Sequence, residues 1–351
     1  MKIYDSVKLE DKEVQAILEL DQLVDKPAKI ISFQGDIDTA LEMFEFDSPM
    51  TLWYKNHNII GLFLFHFNIE KLPESIGNLS HMRFITINRC QIKYFPKMMS
   101  KFHKLEYLEF YNNPEFGPLI NLDLPDIFQN LNNLRKFQIN GLFNVYLPPS
   151  FIKLEHLEEL DLNHCFFTSN RSSYMKNSKL DVYDFTNEPQ FICELPDDLG
   201  RIKSLIKIVL SNLEINDIPK SVGNLSHLKD LQLVFRPPGK KINNLKVIWK
   251  LKSLESLFLN YCKLKEIPKT IGNLKNLKML NLAYNDLQNL PVEIKNCQKI
   301  EKLCLTWNEF NKELKCLKFL PNLKSIILDK TCQDIIPKEL LDNKNIQIKE
   351  F

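Results

Sequence analysis

Leu277-Lys-Met-Leu280-Asn-Leu282-Ala-Tyr-Asn285-Asp-Leu287-Gln-Asn-Leu290-Pro291 is the stretch that decides how this chain of 351 residues folds. Leu280 and Leu282 lie two apart, on one face of a short strand, with Met279, Asn281 and Ala283 on the other. Leu287 and Leu290 turn the chain back toward the apolar side, and Pro291 opens the next segment. The pattern recurs with a first apolar anchor at Ile59, Met82, Leu105, Leu134, Leu157, Leu180, Leu205, Leu228, Leu254, Leu277, Ile300 and Leu323, and a truncated copy starts at Ile346. Nine of the twelve steps are 23 residues; the others are 29, 25 and 26. Such a period predicts a solenoid, in which no coil buries its apolar side alone and stacking supplies the core.

The other positions of the coil have readable roles. Pro73, Pro96, Pro125, Pro148, Pro196, Pro219, Pro268, Pro291 and Pro337 each precede the next anchor by nine residues. Proline suits the first position of a helical turn, where its missing N–H is not needed. An apolar residue three later (Ile76, Met99, Phe128, Phe151, Leu199, Val222, Ile271, Ile294, Leu340) is expected to point inward. Gly77, Gly200, Gly223 and Gly272 follow and suit a positive φ that ends the turn. Eight residues after the anchor, Asn113, Asn285 and Asn308 can bond buried loop backbone, with Cys90, Cys165 and Cys262 as substitutes. Phe67, Leu142, Glu188, Leu213, Arg236 and Thr331 depart from that pattern. Irregularity is therefore expected near 113–124, 165–193 and 236–250.

Residues 1–50 do not repeat and read as a partly helical N-terminal cap, followed by a repeat domain over 51–351 of about 12 to 13 coils. Glu13 to Val24 has an amphipathic pattern and Lys29 to Phe33 reads as a strand. The formal net charge of +2 gives no electrostatic footprint for nucleic acid. No uncharged apolar stretch of membrane-spanning length occurs, and the opening residues MKIYDSVKLEDKEV lack the apolar centre of a secretory signal. The eight cysteines are scattered, without a C-x-x-C pair, which suggests reduced thiols and a cytoplasmic protein.

LPESIGNL (72–79), IPKSVGNL (218–225) and IPKTIGNL (267–274), each feeding a leucine strand, resemble the 23-residue intracellular leucine-rich repeats of the Ras-suppressor class, of bacterial or protist type. The resemblance spans about 300 residues. It implies an α/β leucine-rich-repeat solenoid: a curved horseshoe with a parallel concave sheet and short convex helices. It also implies a scaffold for signal transduction whose partner is a protein, with a small GTPase or another signalling protein as the family's example.

Register then supplies candidate binding residues. Seven positions after the anchor, Phe235, Tyr261, Tyr284 and Trp307 occupy four consecutive coils, and Phe258 neighbours them. Adjacent strands lie about 4.8 Å apart, so the row would run roughly 15 Å along the concave face. Aromatic anchors of this kind dominate binding hot spots. A second cluster, Glu109, Glu159, Asp161 and Asp184, is partly neutralised by Lys136 and Lys207, and Phe63 and Phe65 are expected to pack under the N-terminal cap. No phosphate-binding loop, serine-hydrolase elbow or zinc-protease motif is present. His66 and His164 stand roughly 19 Å apart, too far for one metal, and Cys304 has no histidine in its own or an adjacent coil. The expectation is therefore a non-catalytic protein-binding module, without metal, cofactor, nucleic acid or membrane. An enzyme with an unrecognised concave site and a structural or envelope-associated repeat protein stay open as other readings.

Overall fold

The structure is a computed structural model that describes residues 2–4, 7–24, 28–32, 49–66, 69–111, 122–141, 143–163, 166–167, 195–213, 215, 217–235, 239, 241–329 and 334–350. The chain divides into two compact units, Met1–Phe191 and Ile192–Phe351.

In the first unit β1 (Lys2–Tyr4) and β2 (Val7–Leu9) form an antiparallel pair ahead of α1 (Asp11–Asp21). The expected helix and strand are both present, the strand as β3 (Lys29–Ser32). β3 pairs parallel with β4 (Met50–Lys55), which pairs antiparallel with β5 (Asn58–Phe65). Asn56 and His57, at φ 50° and 64°, supply the two left-handed residues that a two-residue hairpin turn of this hand requires. From β5 the strands run parallel through β6 (Phe84–Asn88), β7 (Tyr107–Tyr111), β8 (Lys136–Asn140) and β10 (Glu159–Asn163). A side pair, β9 (Phe143–Val145) with β11 (Phe166–Phe167), stands apart from that sheet.

The second unit has seven parallel strands in sequence order: β12 (Lys207–Ser211), β13 (Asp230–Val234), β14 (Ser256–Asn260), β15 (Met279–Asn281), β16 (Lys302–Cys304), β17 (Ser325–Leu328) and β18 (Gln347–Glu350). Register is one coil per strand. Leu231, Leu257, Leu280, Leu303 and Ile326 are successive partners, and all are buried. Such a residue contributes about 1.5–3 kcal/mol on leaving water. The core of each unit lies between these inward rows and the apolar residues of the turns, from Ile76 to Leu340, which are buried as expected.

The turns are single 3-10 turns such as Glu74–Asn78, Lys220–Asn224 and Lys269–Asn273. Two details correct the sequence reading. Pro73, Pro96, Pro148, Pro219, Pro268, Pro291 and Pro337 precede the turn in extended backbone, with ψ between 135° and 160°. Each proline carbonyl accepts the N–H three residues on, at 2.9–3.1 Å. Gly77, Gly200, Gly223 and Gly272 do not adopt positive φ; among the described glycines only Gly141 and Gly239 do. Close approach of the next coil is what selects Gly77, Gly200 and Gly272, whereas the nearest contact at Gly223 is an ordinary 3.4 Å. A Cβ on Gly200 would lie 1.8 Å from the Ser221 carbonyl oxygen, and one on Gly77 2.7 Å from the Met98 Cβ.

The coil ahead of Leu254 has Leu245 where most coils carry a proline nine residues before the next anchor. It is entered through Asn244 at φ 59°, and its turn lengthens to Leu245–Lys250, with Trp249 buried. Most of the other expected irregularity, at 112–121, 164–165, 168–194, 236–238 and 240, lies outside the described residues.

The residue after the anchor alternates in charge from Arg83 to Glu158 and again from Lys229 to Lys324. Arg83 pairs with Glu106 through two bonds, Nε to Oε1 at 2.6 Å and Nη2 to Oε2 at 3.0 Å, and Arg135 pairs with Glu158 at 2.8 Å. In the second unit Glu255 takes Lys229 at 3.7 Å and Lys278 at 2.6 Å, and Glu301 takes Lys324 at 2.8 Å.

Candidate functional site

Seven of the described coils leave their strand through a residue held left-handed. At the position seven after the anchor, φ is 61° at His66, 52° at Arg89, 70° at Gly141, 56° at Asn212, 59° at Tyr261, 58° at Tyr284 and 56° at Trp307. A rung of backbone bonds fixes the conformation: Tyr261 N–H donates to the Tyr284 carbonyl at 3.0 Å and Tyr284 N–H to the Thr306 carbonyl at 2.9 Å. Trp307 departs from the pattern, donating its N–H to Asp329 Oδ2 at 2.7 Å. Gly and Asn take this conformation readily, whereas for most L-residues it costs roughly 1–2 kcal/mol. Three bulky aromatics are thus held at a position better suited to Asn.

The side chains of those three residues stack. The Tyr261 and Tyr284 ring centroids are 4.2 Å apart at an interplanar angle of 11°, and Tyr284 and Trp307 are 5.6 Å apart at 8°. Tyr284 keeps 37% of its surface exposed and Trp307 57%, while Tyr261 is half-buried. Burial and the adjacent Tyr284 hydroxyl both push the Tyr261 phenol pKa upward. Phe258, on β14, is half-buried two positions from Asn260. The Asn260 amide nitrogen donates to Asn281 Oδ1 at 3.1 Å, and its own Oδ1 is buried without a partner.

Phe235 does not join the row. It is only 3% exposed and is not left-handed, so its ring belongs to the interior. The count from the anchor holds, since β13 pairs with β14 in register up to Val234 opposite Asn260; the backbone at Phe235 does not turn left-handed as it does at Tyr261, so the ring keeps the inward side of Leu231 and Leu233. Ala283 is likewise buried rather than outward.

Asparagines brace the stack from beneath. Asn285 Nδ2 donates to the carbonyls of Leu259 (2.7 Å), Leu282 (2.9 Å) and Ala283 (3.2 Å), and its Oδ1 accepts from Cys262 N (3.0 Å) and Leu264 N (3.1 Å). Asn308 repeats this one coil on, donating to Leu282, Leu305 and Thr306 and accepting from Leu287. Cys262 substitutes weakly, its thiol reaching the Leu233 and Asn260 carbonyls at 3.8 and 3.6 Å. Asn113 and Cys165 lie outside the described residues.

The acidic cluster is partly tied up. Lys136 Nζ is 3.6 Å from Glu159 Oε1, and burial raises the Glu109 carboxyl pKa. Asp184, like His164, is outside the described residues. Phe63 is buried with Trp53, Ile60, Phe84 and Tyr107, and Ile31 from β3 and Phe65 pack against this group. Burial pushes the Cys297 and Cys316 thiols up to about 11 and raises Cys262 further. Among the described residues no group of His, Cys, Asp or Glu could hold a metal ion, and no helix is long and apolar enough to cross a membrane.

Sequence reasoning missed the left-handed backbone under the aromatic row. Gly141 and Asn212, at the same register, carry that signal, because both residue types populate positive φ readily. It also missed a charge asymmetry. The second unit carries 27 Lys and Arg against 18 Asp and Glu, and the first 19 against 26.

Residues 234–346 match the family described as "Leucine-rich repeat region". No curated protein matches the chain. Among solved structures, an internalin (inlF) from Listeria monocytogenes aligns with a TM-score of 0.53 at 16% identity, over 84% of this chain and 90% of that one. The Arabidopsis receptor kinase HAESA, solved in complex with the peptide hormone IDA and the co-receptor SERK1, aligns with a TM-score of 0.55 at 20% identity. That alignment covers 79% of this chain and 44% of the receptor, so this chain spans under half of the receptor's length. The fold is that of a leucine-rich-repeat solenoid.

Proposed function

We propose that the chain is a non-catalytic protein-interaction module that binds a protein partner on the outer face of its second-unit sheet, the concave face of the expected horseshoe. Phe258, Tyr261, Tyr284 and Trp307 carry the contact. The observation behind this reading is the exposed aromatic stack held at left-handed backbone positions. Strain retained where a smaller residue would relieve it points to use, and a surface fixed by backbone rungs loses little entropy on binding. The HAESA structure, solved with a peptide hormone and a co-receptor, supports reading such a solenoid as one that receives protein partners. The Ras-suppressor resemblance supports a cytoplasmic scaffold, with a small GTPase or another signalling protein as the first partner to test. Residues 1–50 act as the cap of the first coil: α1 buries Val14, Ile17 and Leu20, and Glu13 Oε1 accepts the Ile59 N–H at 3.2 Å.

The test compares affinity capture from the native host by the parent chain and by the Tyr261→Ala/Tyr284→Ala/Trp307→Ala variant, with folding checked by circular dichroism. Loss of a recovered partner is expected. Equal recovery by the folded variant rejects the surface.

A further inference from the structure

We propose that the Trp307 end of the stack receives a cationic side chain, arginine or lysine, from an extended segment of the partner; this rests on the binding surface above. The stack is closed along its length, because its rings already lie 4.2 and 5.6 Å apart and nearly parallel. Its accessible aromatic surface is therefore greatest at Trp307, 57% exposed.

Carboxylates gather at that end. Asp286 and Glu309 each lie two residues past a stacked ring, in adjacent coils joined by the Asn285 N–H to the Trp307 carbonyl at 3.0 Å. Asp329 holds the Trp307 N–H itself. Among the described residues none of the three is in an ion pair, whereas Glu301, on the Trp307 coil, and Glu255, two coils before it, are taken by lysines. An indole face and unneutralised carboxylates both favour a cation, and a guanidinium can stack on the one while bonding the other. Lys330, at the same register in the following coil, lies outside the described residues, so it enters the test as a competitor.

The full chain is titrated at low ionic strength with acetyl-Gly-Arg-Gly-amide, its citrulline analogue and its glutamate analogue, following tryptophan emission. Trp53 and Trp249 are buried, so Trp307 reports. A saturable change is expected with the arginine peptide alone, retained in Lys330→Ala and weakened about fivefold or more in Glu309→Gln/Asp329→Asn. An equal response to the citrulline peptide, or indifference to the carboxylate substitutions, overturns the proposal. So does binding that appears only in Lys330→Ala, since the chain would then supply its own cation. Partner capture lost in the triple aromatic variant but kept in Glu309→Gln/Asp329→Asn removes the cation site and leaves the binding surface standing.

Discussion

Replacing Asn285 by alanine tests whether the coils are held together by side-chain bonds to backbone as well as by leucine packing. The side chain makes five bonds, and the two it accepts matter most. Without Oδ1, the Cys262 and Leu264 N–H groups, one buried and one half-buried, lose their partner. An orphaned buried donor costs about 1–3 kcal/mol. The three carbonyls lose less, since each has a second lone pair and water can reach a cavity left by the amide. The sum is a loss of about 3–4 kcal/mol. Urea unfolding of the full chain, followed by circular dichroism with the slope checked for constancy, measures it. Cys262→Ala is the internal comparison: the thiol makes only two long contacts, at 3.6 and 3.8 Å, and its removal should cost about 1 kcal/mol. A loss for Asn285→Ala under about 1 kcal/mol, or no larger than that for Cys262→Ala, would refute the bonding argument.

Gly200→Ala should destabilise by about 2–3 kcal/mol through overpacking, while Gly223→Ala, whose nearest Cβ contact is 3.4 Å, should stay within about 0.5 kcal/mol of the parent; equal effects in denaturant titrations would remove close approach as the reason for glycine. Burial pushes the Glu13 carboxyl up to about 7 from an ordinary value near 4.5. Between those values the folded chain holds a proton that the unfolded chain has released, so stability falls as pH rises through that window, by about 3 kcal/mol in all. Glu13→Gln should flatten that slope and be more stable than the parent at pH 8; an unchanged slope in thermal melts at stepped pH contradicts the assignment. Tyr284→Asn loses two stacking contacts of about 1 kcal/mol each and regains a similar amount from easier left-handed backbone, so the melting temperature should barely move. A loss above about 3 kcal/mol would make the stack a structural element instead of a surface kept for binding.

The repeat was legible because strand geometry has a period of two and coil length is fixed, so Leu280, Leu303 and Ile326 could be placed inward from spacing alone. Proline and glycine were legible as punctuation but not in their roles. Both rules for helical turns assume an isolated helix, whereas Gly200 answers to the Ser221 carbonyl of the next coil. The same limit governed the site. Tyr261, Tyr284 and Trp307 followed from register, but Phe235 did not, because its backbone does not turn left-handed at the strand's end and the ring stays on the inward side. Nothing in the spacing singles out Glu13, and only the packing of α1 shows it 1% exposed, with one oxygen bonded to Ile59.

The alternating charges from Arg83 to Glu158 and from Lys229 to Lys324 have a consequence for assembly. Coils of almost identical sequence can stack in the wrong order, a characteristic failure of repeat proteins. Here skipping a coil would set Arg83 against Arg135, Glu106 against Glu158, Lys229 against Lys278, or Glu255 against Glu301. The correct neighbour attracts and the next-but-one repels, so the chain carries a parity mark that distinguishes odd windings from even ones while its leucines cannot.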